Sequence, residues 1–166
     1  MDFHSTLRKM MAVSVLMALG TFPLLAGCRG LVRDDLGQAA DPVAGLDPAG
    51  MDILRLAALA PSGHNTQPWG IRIVAPDTWI IQSDERRWLP AVDPDQRETL
   101  LSIGAFVETL IQAAQAHGLE ADLESLATSA QDRDIVRVRL RRTGSPGNDA
   151  PAIVERIEKR RTVRCG

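Results

Sequence analysis

The densest run of chemically useful side chains is Ala60-Pro61-Ser62-Gly63-His64-Asn65-Thr66-Gln67-Pro68-Trp69. Two prolines bracket a segment that offers a hydroxyl, an imidazole and two carboxamides within six residues. Gly63 lets the backbone approach a ligand closely. Asn65 and Gln67 each present a donor and an acceptor, which suits a planar heterocycle whose edge alternates C=O and N–H. No residue here is a strong nucleophile with its base beside it, so hydrolysis is not the natural reading. The plainer alternative is an inert helix-to-strand turn with its polar groups in water. His64 taken alone is more often a hydrogen-bonded loop residue than a ligand. A second cluster, Arg160-Arg161-Thr162-Val163-Arg164, reads by itself as a solvated basic end or a surface-binding patch.

The elements that must position these residues follow from periodicity. Met51 to Ala60 is helical, with Ile53, Leu54, Ala57, Ala58 and Leu59 as its packed face, and Pro61 ends it. Trp69–Val74 and Thr78–Ser83 are expected as two strands joined at Ala75-Pro76-Asp77. Asp93 as N-cap and Pro94 at the first helical position should open the longest helix. Its apolar stripe is Leu100, Ile103, Val107, Leu110 and Ala114, widened by Leu101, Phe106 and Ile111. Glu108, Gln112 and Gln115 leave only a narrow polar face, so this helix is expected to be covered on most sides. Gly118 should stop it after His117, whose imidazole suits the helix C-terminus.

Ile135, Val136, Val138 and Leu140 suggest another strand, with Arg137 and Arg139 on its wet face. Gly144–Asn148 is a loop, and Pro151–Arg160 a final helix. Asp84-Glu85-Arg86-Arg87 reads as a solvated charged turn, and Trp69, Trp79 and Trp88 as core or sheet-edge residues. The expected fold class is α+β, with helices packed on a small antiparallel sheet around a long central helix.

Composition narrows the classes of function. The 166 residues are 45% hydrophobic and 24% charged, too apolar for disorder. With 19 Lys+Arg against 21 Asp+Glu, the chain is no general nucleic-acid binder. Cys28 and Cys165 lie at opposite ends and supply neither a disulfide framework nor a zinc site, and no metal is expected. Cys165, beside Arg164, is left as an incidental terminal thiol.

Residues 1–28 carry a basic start at Arg8 and Lys9, an apolar run from Met10 to Leu25, and then Leu25-Ala26-Gly27-Cys28. That is the plan of a signal peptide, and its end resembles a bacterial lipobox. The resemblance implies acylation of Cys28 and a lipid-anchored protein of the cell envelope. It would sit on the outer side of the inner membrane or the periplasmic side of the outer one. An uncleaved anchor, plain secretion or a buried helix are the alternatives. Residues 29–50, rich in Gly and Pro, read as a flexible tether to a domain spanning 51–166.

The loop, continuing as Gly70-Ile71-Arg72-Ile73, closely resembles the A-P-S-x-x-N-x-Q-P-W signature of the FMN-dependent nitroreductase superfamily. His64 before Asn65, and the later Asp93-Pro94, Arg97-Glu98 and Ser102-Ile103-Gly104-Ala105, look like its two-half, Acg-type branch. The resemblance runs from about Met51 to the end of the chain. It implies a nitroreductase-like half-domain in which Ser62, Gly63, His64, Asn65 and Gln67 line a flavin site. Arg160, Arg161, Thr162 and Arg164 look like the family's R-x-[ST]-x-R motif. The resemblance assigns them to the FMN phosphate, which guanidiniums match through charge-assisted, bidentate bonds.

In the family that motif precedes the loop; here it follows, as though opening a second half that is absent. The expectation is therefore a tandem protein cut short, with a homodimer or a missing half completing the site. The implied activity is FMN-dependent reduction of nitroaromatic or quinone-like acceptors by NAD(P)H, with no residue marked as a covalent or acid–base catalyst. A non-catalytic FMN-sequestering protein and an inactive fragment are the other readings.

Overall fold

The computed structural model describes residues 45–162. Cys28, the leader and most of the expected tether lie outside these residues, as do Arg164 and Cys165. In chain order the elements are α1 (Pro48–Ala57), a 3-10 turn (Gly63–Asn65), β1 (Trp69–Ala75), β2 (Thr78–Ser83), a second 3-10 turn (Glu85–Arg87), α2 (Arg97–Ala116), β3 (Leu119–Ser125), β4 (Asp134–Arg142) and α3 (Ala150–Lys159). The strands form one antiparallel sheet in the order β1-β2-β4-β3. One face carries the helices and the other faces water, so the α+β expectation holds.

Period-two alternation decides the two faces. Trp79 pairs with Ile73 and Val138, and Ile81 with Ile71 and Val136, placing these side chains on the helix side. Of these, Trp79, Ile81 and Val138 enter the core, with Ile53 and Leu56 of α1, Ile103, Phe106 and Leu110 of α2, and Ile153 and Ile157 of α3, while Ile71 on the edge strand stays partly exposed. Trp69 stacks on Phe106 with ring centroids 4.9 Å apart. Trp88, only half-buried, donates its indole N–H to Ser83 Oγ at 2.8 Å.

The opposite face is a lattice of ion pairs. Arg72 meets Asp134 at 2.6 Å, Arg137 meets Glu124 at 2.6 Å, and Arg141 meets both Asp122 and Glu120. Ile80 lies between Arg72 and Arg137 in register and is buried, consistent with arginine stems covering an apolar neighbour.

Three helix starts and one strand differ from the sequence expectation. Helix α1 begins at Pro48, inside the expected tether, because Asp47 caps it by accepting from Gly50 N at 2.7 Å. Its regular part ends at Ala57, and tighter bonds, Leu59 N to Leu56 O and Ala60 N to Ala57 O, carry the chain on to Pro61. Helix α3 starts at Ala150, one residue early. Strand β3 was not foreseen.

Helix α2 begins at Arg97 rather than Pro94, because Gln96 adopts a left-handed conformation (φ 58°) that interrupts the helix there. Asp93 still caps it from further back. Its carboxylate accepts from Glu98 N (3.1 Å), Thr99 N (2.9 Å) and Thr99 Oγ1 (3.0 Å). Burial opposes the charge on Asp93, but these N–H donors outweigh it and hold the carboxyl below its ordinary range.

A carboxyl depressed in the folded state adds stability above its unfolded pKa and loses it as pH falls through the folded value. Asp52, Asp122 and Asp134 are depressed as well, so the melting temperature is expected to fall below about pH 4. Asp93→Asn should start lower at pH 7 and lose less between pH 5 and pH 2. Melting curves that fall in parallel would show that Asp93 carries none of the acid dependence.

The long helix is open along one side. Leu101 is 66% exposed, and Arg97, Gly104, Glu108 and Gln115 share that face. It is thus less enclosed than its apolar content suggested. A Cβ on Gly104 would meet nothing within 4 Å. Glycine costs a helix interior about 1 kcal/mol relative to alanine, so Gly104→Ala should raise stability by about that much. A chemical denaturation midpoint that drops instead would mean that another surface sits close against the face.

Candidate functional site

The site is built where the Ser62–Gln67 loop crosses the first turns of α2. Ser102 is buried, and its hydroxyl donates to Glu98 O at 2.7 Å as a helical side chain bonding back one turn. Its oxygen then accepts from Gly63 N at 3.0 Å. Gly63 lies so close to Glu98 that a Cβ there would stand 2.9 Å from Glu98 Oε2. His64 Nε2 is 3.6 Å from the same carboxylate oxygen.

Inside the loop, the backbone closes on itself. Asn65 N donates to Ser62 O, Thr66 N and Thr66 Oγ1 donate to Gly63 O, and Gln67 N donates to Ser62 Oγ at 3.1 Å. Arg87 reaches in from the second 3-10 turn and donates to Thr66 O at 3.1 Å. The Asp84–Arg87 segment, expected as a solvated turn, therefore also braces the loop. Asp84 N donates to Pro68 O at 2.8 Å.

Backbone strain is concentrated here. Among the described residues, the non-glycine residues with left-handed φ are His64 (49°), Asn65 (57°), Gln67 (49°) and Gln96 (58°). Three are in the loop and the fourth immediately precedes the helix that holds it. Such strain is retained where the surroundings over-determine it, commonly at ligand sites. Among the described residues, the carboxamides of Asn65 and Gln67 have no hydrogen-bond partner, and the Ser62 hydroxyl keeps its proton to donate. Gln96 adds a buried acceptor: its Nε2 donates to Asp93 O, and its Oε1 meets no donor among the described residues.

The C-terminal cluster is brought to the base of this loop. Arg160 Nε and Nη2 donate to Leu59 O at 3.1 and 2.5 Å, three residues before Ser62, and Nη1 donates to Thr162 Oγ1 at 3.0 Å. Part of the Arg160 guanidinium thus serves the end of α1. Arg161 and Thr162 are exposed. His117, expected to serve the helix dipole, has Nε2 2.9 Å from Asp52 Oδ2, tying α2 to α1.

Two residues that hold the loop, Glu98 and Ser102, belong to the run that resembles the Acg-type branch, but nothing local in the sequence marks them as site residues. Their signal is faint: Glu98 and Ser102 stand four apart, one turn, on a helix that carries several other polar residues. A shallow groove of about 580 Å³ on the water-facing side of the sheet is lined by Arg72, Val74, Ile80, Leu126 and Arg137 among others. None of its lining residues belongs to the loop. The loop itself is open, with His64 and Asn65 exposed. Among the described residues, no cluster of His, Cys, Asp and Glu could hold a metal ion, and no helix is long and apolar enough to cross a membrane.

No family model matches the chain. It is 41% identical over 69 residues to the Mycobacterium tuberculosis protein "Putative NAD(P)H nitroreductase Rv3131", covering 42% of this chain and 20% of that protein. To "Putative NAD(P)H nitroreductase acg" of the same species it is 42% identical over 72 residues, covering 43% and 21%. To "Probable NAD(P)H nitroreductase PigM" of a Serratia species it is 29% identical over 115 residues, covering 67% and 32%. The chain therefore spans between a fifth and a third of the length of these relatives. A solved nitroreductase-like protein from Streptococcus mutans superposes with a TM-score of 0.46 at 18% identity, over 58% of this chain and 78% of that one.

Proposed function

We propose that this chain supplies one wall of an FMN site of nitroreductase type. The function would be FMN-dependent reduction of nitroaromatic or quinone-like acceptors, with a reduced nicotinamide as electron donor. The observation that carries this reading is the loop itself: the unpartnered carboxamides of Asn65 and Gln67 on left-handed backbone, beside a Ser62 hydroxyl that accepts from Gln67 N and keeps its proton to donate, all held from behind by α2. Donor and acceptor ends in that arrangement fit the alternating edge of an isoalloxazine. The similarity to proteins named as NAD(P)H nitroreductases supports the same class.

Ser62, Asn65 and Gln67 would orient the ring edge, with Gly63 and His64 shaping the approach. Arg160, Arg161, Thr162 and Arg164 would meet the phosphate. When bound, the flavin supplies the hydride and electron transfer, and the protein's part is to position it. Because the loop is open on one side, a second copy or a further half-domain would furnish the other wall. The same ring-edge groups would also serve a protein that holds FMN without turnover, which is the second reading.

The test is to titrate the full chain with FMN, following quenching of flavin fluorescence, and then to add NADH or NADPH anaerobically. Binding followed by bleaching supports the oxidoreductase, and binding without bleaching supports the sequestering protein. Failure to take up FMN at either low or high protein concentration overturns both. Anchoring through Cys28 belongs to the same proposal. Cys28→Ser is expected to move the chain from the membrane to the soluble fraction, and a wild-type N-terminus without lipid, read by mass spectrometry, would refute it.

A further inference from the structure

Gly63 N–H is an obligatory donor at the first turn of the loop, and its acceptor is a side chain 39 residues away. Ser102 is a special kind of acceptor. Its own proton is committed to Glu98 O at 2.7 Å, so the lone pair facing Gly63 is fixed in direction instead of rotating with solvent. The residue is 4% exposed, leaving little room for water to replace it. Gly63 O in turn accepts from Thr66 N and Thr66 Oγ1, and Ser62 Oγ accepts from Gln67 N. One bond therefore sets the anchor from which Asn65 and Gln67 take their left-handed backbone.

We propose that Ser102 is a positioning residue, fixing the Ser62–Gln67 loop in the conformation that presents Ser62, Asn65 and Gln67 to the flavin. This rests on the FMN reading above. It goes further by assigning the loop's ligand-ready shape to a buried hydroxyl on α2 that would not itself touch the cofactor.

Ser102→Ala removes the acceptor and leaves Gly63 N–H facing a methyl group. Thr109→Ala is the matched control. Thr109 Oγ1 makes the same back-bond, to Ala105 O at 2.7 Å on the same helix, but is not bonded to the loop. Two quantities are read on the full chain: hydrogen exchange of the Gly63 amide by NMR without ligand, and the FMN dissociation constant by fluorescence. In Ser102→Ala, Gly63 exchange should accelerate about tenfold or more and FMN binding should weaken about tenfold, the scale of one unpaired part-buried donor. Core amides such as Leu110 should keep wild-type protection, and Thr109→Ala should match wild type in both readouts.

Unchanged FMN affinity in Ser102→Ala, or equal weakening in Thr109→Ala, overturns the positioning role. Unchanged Gly63 exchange in Ser102→Ala overturns the anchor itself. If wild type binds no FMN, the flavin reading falls and the positioning role with it. The exchange experiment still separates that failure from a failure of the Ser102–Gly63 bond.

Discussion

Trp79→Ala is expected to lower the unfolding free energy by about 3–5 kcal/mol, the range for removing a fully buried aromatic. Trp79 has no exposed surface and sits near the start of β2, between Ile73 of β1 and Val138 of β4. Its indole also receives α1: a Cβ on Gly50 would be 3.4 Å from Trp79 Cζ2. The ring N–H donates to Pro76 O at 3.2 Å, so truncation removes the donor from the β1–β2 turn as well as opening a cavity. For a domain of this size the melting temperature should drop by about 10–20 °C. Urea denaturation followed by circular dichroism measures it directly. A cost near 1 kcal/mol would mean that the sheet–helix layer repacks freely, contrary to the burial described.

Gly118→Ala should be the most damaging of the glycine substitutions, at about 2–4 kcal/mol. Gly118 leaves α2 with φ +70°, which costs an L-residue about 1–2 kcal/mol. An added Cβ would also lie 2.7 Å from Gly144 O and 3.0 Å from Pro146 N, both backbone atoms that no rotamer change can move. The same turn is fastened by Thr143 N and Thr143 Oγ1, which donate to Gly118 O at 3.1 and 3.2 Å. The measurement is a pair of thermal melts, Gly118→Ala against Gly104→Ala. Opposite signs are expected from one substitution type, and equal signs would refute the assignment of strain to Gly118.

The sequence was most readable where local chemistry and packing agree. Thr78–Ser83 is a strand with the expected ends, and Gly118 terminates α2 where a left-handed glycine should. It was least readable where a distant partner decides. In Leu119-Glu120-Ala121-Asp122-Leu123-Glu124-Ser125 the alternation is present, but three acids in an edge strand are explained only by Arg137, Arg139 and Arg141 of β4. Pro48 and Gly50 look like linker residues until Asp47 is seen to cap the helix. Gly50 fits closely there: a Cβ would stand 3.2 Å from Leu46 Cδ2, which would have to give by a few tenths of an ångström. Asp93 was recognisable as a cap by type, but not its reach of five and six residues past the left-handed Gln96. For the loop, residue identity announced the chemistry, whereas its support by Glu98 and Ser102 is a tertiary fact.

The pairing of α1 with α3 carries a consequence for assembly. Arg55 bonds Glu158 across 103 residues of sequence, and Arg160 bonds Leu59 O across 101. Contacts of such separation carry the largest loop-closure cost and form late. During synthesis, the base of the Ser62–Gln67 segment would thus gain its last fastening only after the final helix has emerged and docked. A ribosome-stalled chain ending before Ala150 should show this stretch more open to protease than the finished domain does.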